Sequence, residues 1–459
     1  MKTPIIATLF LMLVAFVMPN DALAVDSYLL YAAQFLLMLP YLLARVGYAK
    51  NLFLPTLFAQ SYYFANLIFG GYLTPRGYGW DREYFYVTVD INTYNVIVPY
   101  LLLTNLILFV LTALALRNLA IQEEQHPKES VGRDRGNSLF DLLSAAVFMP
   151  LFLLIAKIDV FSAFSFQLSI LIVHGLRLAA SRNRYRYLIY GFYMATLLAF
   201  DFDNKREIAI ALFLLVFLEV YYGRVPFDFT FKRIVGYAAA IVMFFGLILS
   251  ASILRGYGGF SPVSFIDAVR LIPQYVSSEI FVDGVTDNLE LNYCYGSAIT
   301  SIDMSITGII PYQYGASLAK VLLLPVSRDV FPDKPESTMQ IYTRLYSPSM
   351  RSNGGSLPVI FPSEMFMNFG IVGLLPYLVI WFGFNQLFLW LPRCAAGTLG
   401  QYSIIFLVSS ILMFARGSGL ELYLVFYVLA FPFLTCLAIL GGRLKFAFRG
   451  PHFVANRLS

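Results

Sequence analysis

Arg255, Arg416 and the pair Lys205-Arg206 are the residues of this chain best suited to act on an anion, because each stands at the edge of a long apolar stretch. Arg255 opens Arg255-Gly256-Tyr257-Gly258-Gly259, Arg416 lies in Ala415-Arg416-Gly417-Ser418-Gly419, and Lys205-Arg206 follows Asp201-Phe202-Asp203-Asn204. Guanidinium and ammonium groups next to glycines, which let backbone N–H groups approach, suit a ligand carrying phosphate or carboxylate. Arg328, Lys334, Arg344 and Arg351, with Arg270 and Lys320, extend the set through one long polar interval. Each has an ordinary alternative in a neighbouring ion pair: Asp203 or Glu207 with Lys205 or Arg206, Asp329 with Arg328, Glu421 with Arg416. Glu364 is the candidate general base and Glu421 a second carboxylate on similar terms. The competing role for Glu364 is a favourable negative charge at a helix N-terminus. Asp201-x-Asp203 has the spacing of a weak divalent-metal pair, but the cations that follow it at once oppose metal binding, so the site is expected to work without metal or other cofactor.

These residues are set in a chain that belongs in a membrane. Of 459 residues 59% are hydrophobic and 13% charged, and the mean hydropathy is +0.71. Soluble domains carry about 25% charged residues. The apolar residues gather in runs of roughly 17 to 25, the length a helix needs to cross about 30 Å of hydrocarbon; they do not alternate as barrel strands do. Cys294, Cys394 and Cys436 are too few and too scattered for a disulfide framework or a zinc site. His126, His174 and His452 offer no metal cluster either. The net charge of +5 sits between apolar runs and forms no soluble basic patch, which argues against nucleic acid.

About twelve helices are expected: Ile5 to Val17, Tyr28 to Ala44, Leu52 to Leu73, Tyr94 to Leu116, Leu139 to Ile158, Ala163 to Ala180, Tyr187 to Phe200, Ile208 to Tyr222, Val235 to Ile253, Met365 to Leu391, Tyr402 to Phe414 and Leu420 to Leu440. The count falls to eleven if the Ala22-Leu23-Ala24 sequence is a cleavage site for the first. The fold class is therefore all-α and polytopic. It comprises a membrane bundle of about nine helices over 1–253, a large loop over 254–363, three further helices over 364–442 and a basic tail over 443–459. Connectors bearing Arg45 and Lys50, then Lys128, Arg133 and Arg135, then Arg182, Arg184 and Arg186, then Arg224, Lys232 and Arg233, then Arg393, all fall on one side under strict alternation. Lys and Arg mark the cytoplasmic side. Both ends of the chain are then cytoplasmic if the first helix is retained, and the large loop is outside. Within it, Gly308 to Leu324 is expected as an interfacial or re-entrant helix. Lys205, Arg206, Arg255 and Arg416 become cations on the wrong side. Tyrosines crowd the same outer segments, Tyr257, Tyr312 and Tyr314 among them; an interfacial aromatic belt explains most, and stacking on sugar rings is the sharper alternative.

At these residues the sequence resembles the bacterial oligosaccharide repeat-unit polymerases, the Wzy-type O-antigen and enterobacterial common antigen polymerases. Pro325-Val326-Ser327-Arg328-Asp329-Val330-Phe331-Pro332-Asp333-Lys334-Pro335 is similar to a family segment of the large periplasmic loop that closes on Lys-Pro or Arg-Pro. Pro362-Ser363-Glu364-Met365-Phe366-Met367-Asn368-Phe369-Gly370-Ile371-Val372-Gly373 resembles the start of the following helix, with its carboxylate and Asn-Phe-Gly-x-x-Gly turn. Arg255, Arg416 and Arg206 fall where the family often has an arginine. The resemblance implies an inner-membrane glycosyltransferase acting at the periplasmic face. It would move a growing glycan from undecaprenyl diphosphate to the non-reducing end of a new lipid-linked repeat unit. Glu364, Arg255 and Arg416 would be catalytic; Lys205, Arg206, Arg328, Lys334, Arg344, Arg351, Glu421 and Tyr257 would bind diphosphate or glycan. A flippase and a chain-length regulator are the implied partners. O-antigen ligase is the related alternative, and a transporter of lipid-linked sugars or polysaccharide the alternative of another class. A transporter is expected to show ionisable residues near mid-membrane and paired broken helices.

Overall fold

The computed structural model describes residues 2–46, 49–77, 89–125, 265–278, 291–323, 335–352 and 355–396, with isolated residues between 185 and 253, residue 281, residues 330–331, part of 407–417, and 447–448. The spans expected at Leu139 to Ile158, Ala163 to Ala180 and Leu420 to Leu440 lie outside them. The described residues are mostly helical, and the one strand pairing among them is the two-residue antiparallel match of Ala395–Ala396 with Ala447–Phe448. Among the described residues three helical stretches are long and apolar enough to cross a membrane: Asn20–Val46, Ile91–Leu119 and Phe361–Trp390.

Four helices open the bundle: α1 (Lys2–Val17), α2 (Asn20–Val46), α3 (Pro55–Ala65) and α4 (Tyr94–Gln125). α3 continues through a π-turn at Asn66–Gly70 into Gly71–Leu73. Pro19 separates α1 from α2, and α1 packs against both α2 and α4. The Ala22-Leu23-Ala24 sequence is helical, with Leu23 and Ala24 buried. α4 is entered through a 3₁₀ turn, Ile91–Thr93, whose cap Asp90 accepts the Asn92 N–H at 3.0 Å. Interhelical polar contacts fix the directions. Gln34 on α2 donates to the Leu102 carbonyl of α4 at 2.7 Å and approaches Thr8 of α1 at 3.4 Å. Thr112 of α4 donates to Thr56 of α3 at 2.8 Å, while Gln60 of α3 reaches the Asn105 carbonyl. Rising numbers on α3 thus meet falling numbers on α4, and the two are antiparallel. Small polar and amide groups are the usual adhesive where helices have no hydrophobic drive to associate. The outward sides of α1 and α2 carry Ile6, Phe10, Leu13, Leu29, Leu36 and Leu43, all largely exposed.

The third apolar stretch is not one straight helix. In a continuous α-helix Phe361 and Trp381 would lie about 30 Å apart along the axis, yet their ring centroids are 6.2 Å apart. The stretch is a hairpin of α8 (Phe361–Phe369) and α9 (Leu374–Cys394). Gly370 makes the reversal with φ 60° and ψ −142°, a conformation that a side chain strongly disfavours. Gly373 then lies so close to α8 that a Cβ there would sit 2.3 Å from the Met365 carbonyl oxygen. α9 alone, with 21 residues and thus about 31 Å long, has the length of a span.

A second helix enters the bundle from the long polar interval. α6 (Leu291–Ile306) packs against the π-turn of α3 and against α8. Its Cys294, Tyr295, Ala298, Ile299 and Ile302 are fully buried. Ser363 donates to the Ala298 carbonyl at 3.3 Å, and Met304 shares a core cluster with Met367, so α6 and α8 run in the same direction. Before α6 lies α5 (Phe265–Val276); between α6 and α8 lies α7 (Thr338–Tyr346), started by a capping box of Ser337 and Gln340. Of the stretch expected as an interfacial or re-entrant helix, Gly308 to Leu324, only Ala316–Ala319 and Lys320–Leu323 are helical; 308–315 is a turn. That turn closes the C-terminal end of α8: the Gln313 and Tyr314 N–H groups donate to the Met367 and Asn368 carbonyls at 3.0 and 2.9 Å.

Candidate active site

Glu364 sits in the first turn of α8 and is buried, with 4% of its surface exposed. Glu364 stands at the end of the short α8 that lies away from the Asp303 end of α6. Its depth can be read on α4. Thr93 is bonded to Asp303 at the end of α6, while Tyr100, about 10 Å further along α4, donates to the Pro362 carbonyl at 2.8 Å. The first turn of α8 therefore lies about 10 Å below the Asp303 end of the bundle, and Cys294 on α6 about 14 Å below it.

The carboxylate is held from the loop side. Ser317 Oγ lies 3.5 Å from Glu364 Oε1 and accepts from Asn368 Nδ2 at 2.8 Å. Asn368 also takes the Gly315 N–H on Oδ1 at 3.1 Å and donates to the Glu364 carbonyl at 2.8 Å. The asparagine of Asn368-Phe369-Gly370 thus pins the 313–317 turn onto α8 and presents the Ser317 hydroxyl to the carboxylate. One helical turn further, Lys320 is buried and donates to Gln340 of α7. Lys320 was visible in the sequence only as one more cation in the loop; Ser317 carried no signal at all, because the turn that aims it exists only once docked on α8.

Arg416 arrives from the far end of the chain. Gly417, with φ 97°, lies against residues 359–360, where a Cβ would be 2.2 Å from the Val359 carbonyl oxygen, and the Val359 N–H points to the Gly417 carbonyl at 3.4 Å. This contact sets half-buried Arg416 beside the residues that lead into α8. The Ile360 carbonyl accepts the Glu364 N–H at 3.0 Å, one turn away. The Arg416 carbonyl faces the Cys294 thiol at 3.9 Å, and the same thiol is 3.2 Å from the Tyr62 hydroxyl. Tyr63, buried, is within electrostatic reach of both Cys294 and Glu364. Phe361, Tyr377, Trp381 and Phe414 form the aromatic floor, with Phe361 and Phe414 centroids 4.3 Å apart.

Of the sequence candidates, Glu364 lies in the first turn of α8 and the Arg416 backbone lies beside Cys294, next to Gly417 on residues 359–360. Arg344 is elsewhere, exposed on α7 and paired with Glu336 at 2.9 Å. Arg351 ends the short helix Pro348–Ser352. Arg255, Lys205, Arg206, Arg328, Lys334, Glu421, Tyr257, Asp201 and Asp203 lie outside the described residues. Among the described residues no group of three or more His, Cys, Asp and Glu side chains is placed to hold a metal ion.

A second buried carboxylate, Asp303 at the end of α6, is 1% exposed. Its Oδ1 accepts Thr93 Oγ1 at 2.8 Å and the Asp90 N–H at 3.2 Å, while Oδ2 has no partner. Burial holds this carboxyl above the ordinary carboxylate range, helped by the Asp90 charge and opposed by the two hydrogen bonds.

The arrangement sets a buried carboxylate in the first turn of α8 and the Arg416 backbone near the first turn of the parallel helix α6; helix N-termini carry partial positive charge. A protein-family model, curated proteins and solved structures were all compared with the chain, and none of them matches it.

Proposed function

We propose that this is a membrane glycosyltransferase that polymerises lipid-diphosphate-linked oligosaccharide repeat units at the outer face of the bacterial inner membrane. The observation that carries the reading is a buried Glu364 at the head of α8 with the backbone of Arg416, 52 residues on in sequence, brought beside Cys294 near the head of α6 and, through Gly417, against residues 359–360. Breaking the anomeric carbon–oxygen bond builds negative charge on the departing diphosphate. A guanidinium and two helix N-termini in a poorly hydrated setting are suited to stabilising that charge. The acceptor hydroxyl must lose a proton, and Glu364, oriented by Ser317, takes it. Arg255, Lys205, Arg206, Arg328, Lys334, Arg351, Glu421 and Tyr257 complete the binding surface in this reading, with undecaprenyl diphosphate as the leaving group. In this reading the Asp303 end of the bundle faces outward, because Arg45 and Arg117 lie toward the opposite ends of α2 and α4. Ligation to a different acceptor would use the same chemistry.

One observation favours a second reading, a transporter of lipid-linked sugars. α6 and α8 are buried half-helices with a carboxylate at depth, the construction by which transporters build binding sites near the bilayer midplane. Deleting the gene and resolving the surface glycan on a gel separates the two. A ladder that collapses to a single repeat supports polymerisation; loss of outer-leaflet lipid-linked units supports transport. Arg416→Ala is expected to reproduce the collapse with the folded protein still in the membrane, and a full ladder removes Arg416 from the site.

A further inference from the structure

α5 has three faces, and among the described residues one is packed against protein. Ala268 and Tyr275 are buried and, with Leu271 and Ile272, pack on Leu249 and Ile253 at the end of the ninth expected span and on Phe245 and Phe281. Asp267, Arg270 and Gln274 form a second stripe; the side chains of Asp267 and Arg270 are 45% and 77% exposed and lie 3.8 Å apart. Ile266, Val269, Pro273 and Val276 form the third. They follow one another at steps of three and four residues, and Ile266, Val269 and Val276 are 63%, 43% and 45% exposed. At 3.6 residues per turn the three stripes lie about 120° apart. A helix wholly in water has no use for the apolar exposed stripe, and one wholly in hydrocarbon cannot keep Asp267, Arg270 and Gln274 on its surface.

We infer that α5 is an interfacial helix that seats the long extracytoplasmic segment on the lipid surface, with its Ile266-Val269-Pro273-Val276 stripe buried among acyl chains and its Asp267-Arg270-Gln274 stripe in the headgroup water. Three directions around one helix then have three surroundings: bundle, lipid and water. The seating follows from position, because the protein-facing stripe rests on the last turns of an apolar span whose Val235 and Val242 are themselves exposed. Apolar burial at the headgroup boundary is the force that holds such helices flat, and Arg270 is placed to meet lipid phosphate. The inference is independent of any catalytic reading.

The test uses the full-length protein in vesicles of phosphatidylethanolamine and phosphatidylglycerol with acyl chains brominated near the glycerol. Val269→Trp and Gln274→Trp are compared with the parent, so that only the added emission is read. For Val269→Trp the added emission is expected to be largely quenched by the brominated lipid and spared by iodide; for Gln274→Trp the pattern is reversed. Quenching of Val269→Trp by iodide alone places the stripe in water and overturns the inference, and quenching by neither assigns the stripe to a protein partner and overturns it too. Ile266→Trp repeats the measurement if the first variant fails to fold.

Discussion

The bundle of α1–α4 and the pair α6–α8 both bury polar side chains, but of different kinds. Between α1 and α4 the polar groups are neutral: Thr8, Gln34, Thr56, Gln60, Asn105 and Thr112, answering one another or a backbone carbonyl. Around α6 and α8 ionisable groups join neutral ones such as Ser317, Ser363 and Asn368: Glu364, Asp303, Lys320 and Cys294, with the Arg416 backbone close by. The difference follows from the backbone. A continuous helix satisfies all its interior N–H and C=O groups and offers no net charge in mid-course, so a buried ion there has nothing to answer it. A helix that ends inside the protein presents unpaired N–H groups and a partial charge at its tip. Buried amides hold helices together; buried helix ends make room for charge.

If the contrast is right, substitutions in the two regions separate cleanly. Glu364→Gln keeps the shape and the Ser317 contact but removes the proposed base; the proposed polymerising activity is expected to fall roughly 10²–10⁴-fold with normal expression and melting. Retained activity would reduce Glu364 to a structural charge. Gly373→Ala strikes the α8–α9 hairpin where a Cβ would meet the Met365 carbonyl oxygen, and a loss of about 3 kcal/mol in unfolding stability is expected. A straight 361–390 helix would tolerate the alanine, so an unchanged melting curve refutes the hairpin. In the neutral region Gln34→Leu removes the contacts to Leu102 and Thr8 and is expected to cost only about 1 kcal/mol, with activity per folded molecule unaltered.

Asp303→Asn gives the smallest effect and one with a sign. A carboxyl held above its ordinary range stabilises the fold while protonated, fully at pH below that range, and loses the contribution as pH rises through the raised value. The amide is neutral throughout. Asp303→Asn should therefore be at least as stable as the parent at pH 8, and this advantage should shrink or reverse near pH 4, as read by melting temperature. A variant that is weaker at pH 8 than at pH 4, relative to the parent, contradicts the assignment.

Hydropathy registers α1, α2, α4 and α9, since each contains a run of Leu, Ile, Val and Phe, but α2 starts at Asn20 rather than the expected Tyr28, α4 runs on to Gln125 rather than the expected Leu116, and α9 starts at Leu374 rather than the expected Met365. It passes over α6, although that helix is buried on almost every side, because Leu291-Asn292-Tyr293-Cys294-Tyr295-Gly296-Ser297 and the residues after it are too polar to register. It fuses α8 with α9, because Gly370-Ile371-Val372-Gly373 is as apolar as its surroundings and a window average has no direction. The candidate site divides the same way. Glu364 and Arg416 stand out by type and position, whereas Ser317 and Lys320 come into play only through the turn docked on α8.

Composition and run length by themselves determined that the chain is helical and apolar enough for a membrane, and they marked which stretches are long enough to cross, because transfer from water to hydrocarbon is a sum over neighbouring residues. Only the tertiary structure decided that α8 doubles back, that α6 enters beside it and that Arg416 reaches the turn carrying Glu364. Those outcomes depend on which surfaces meet at distances of a few ångströms between residues far apart in the chain, and no local sum contains them.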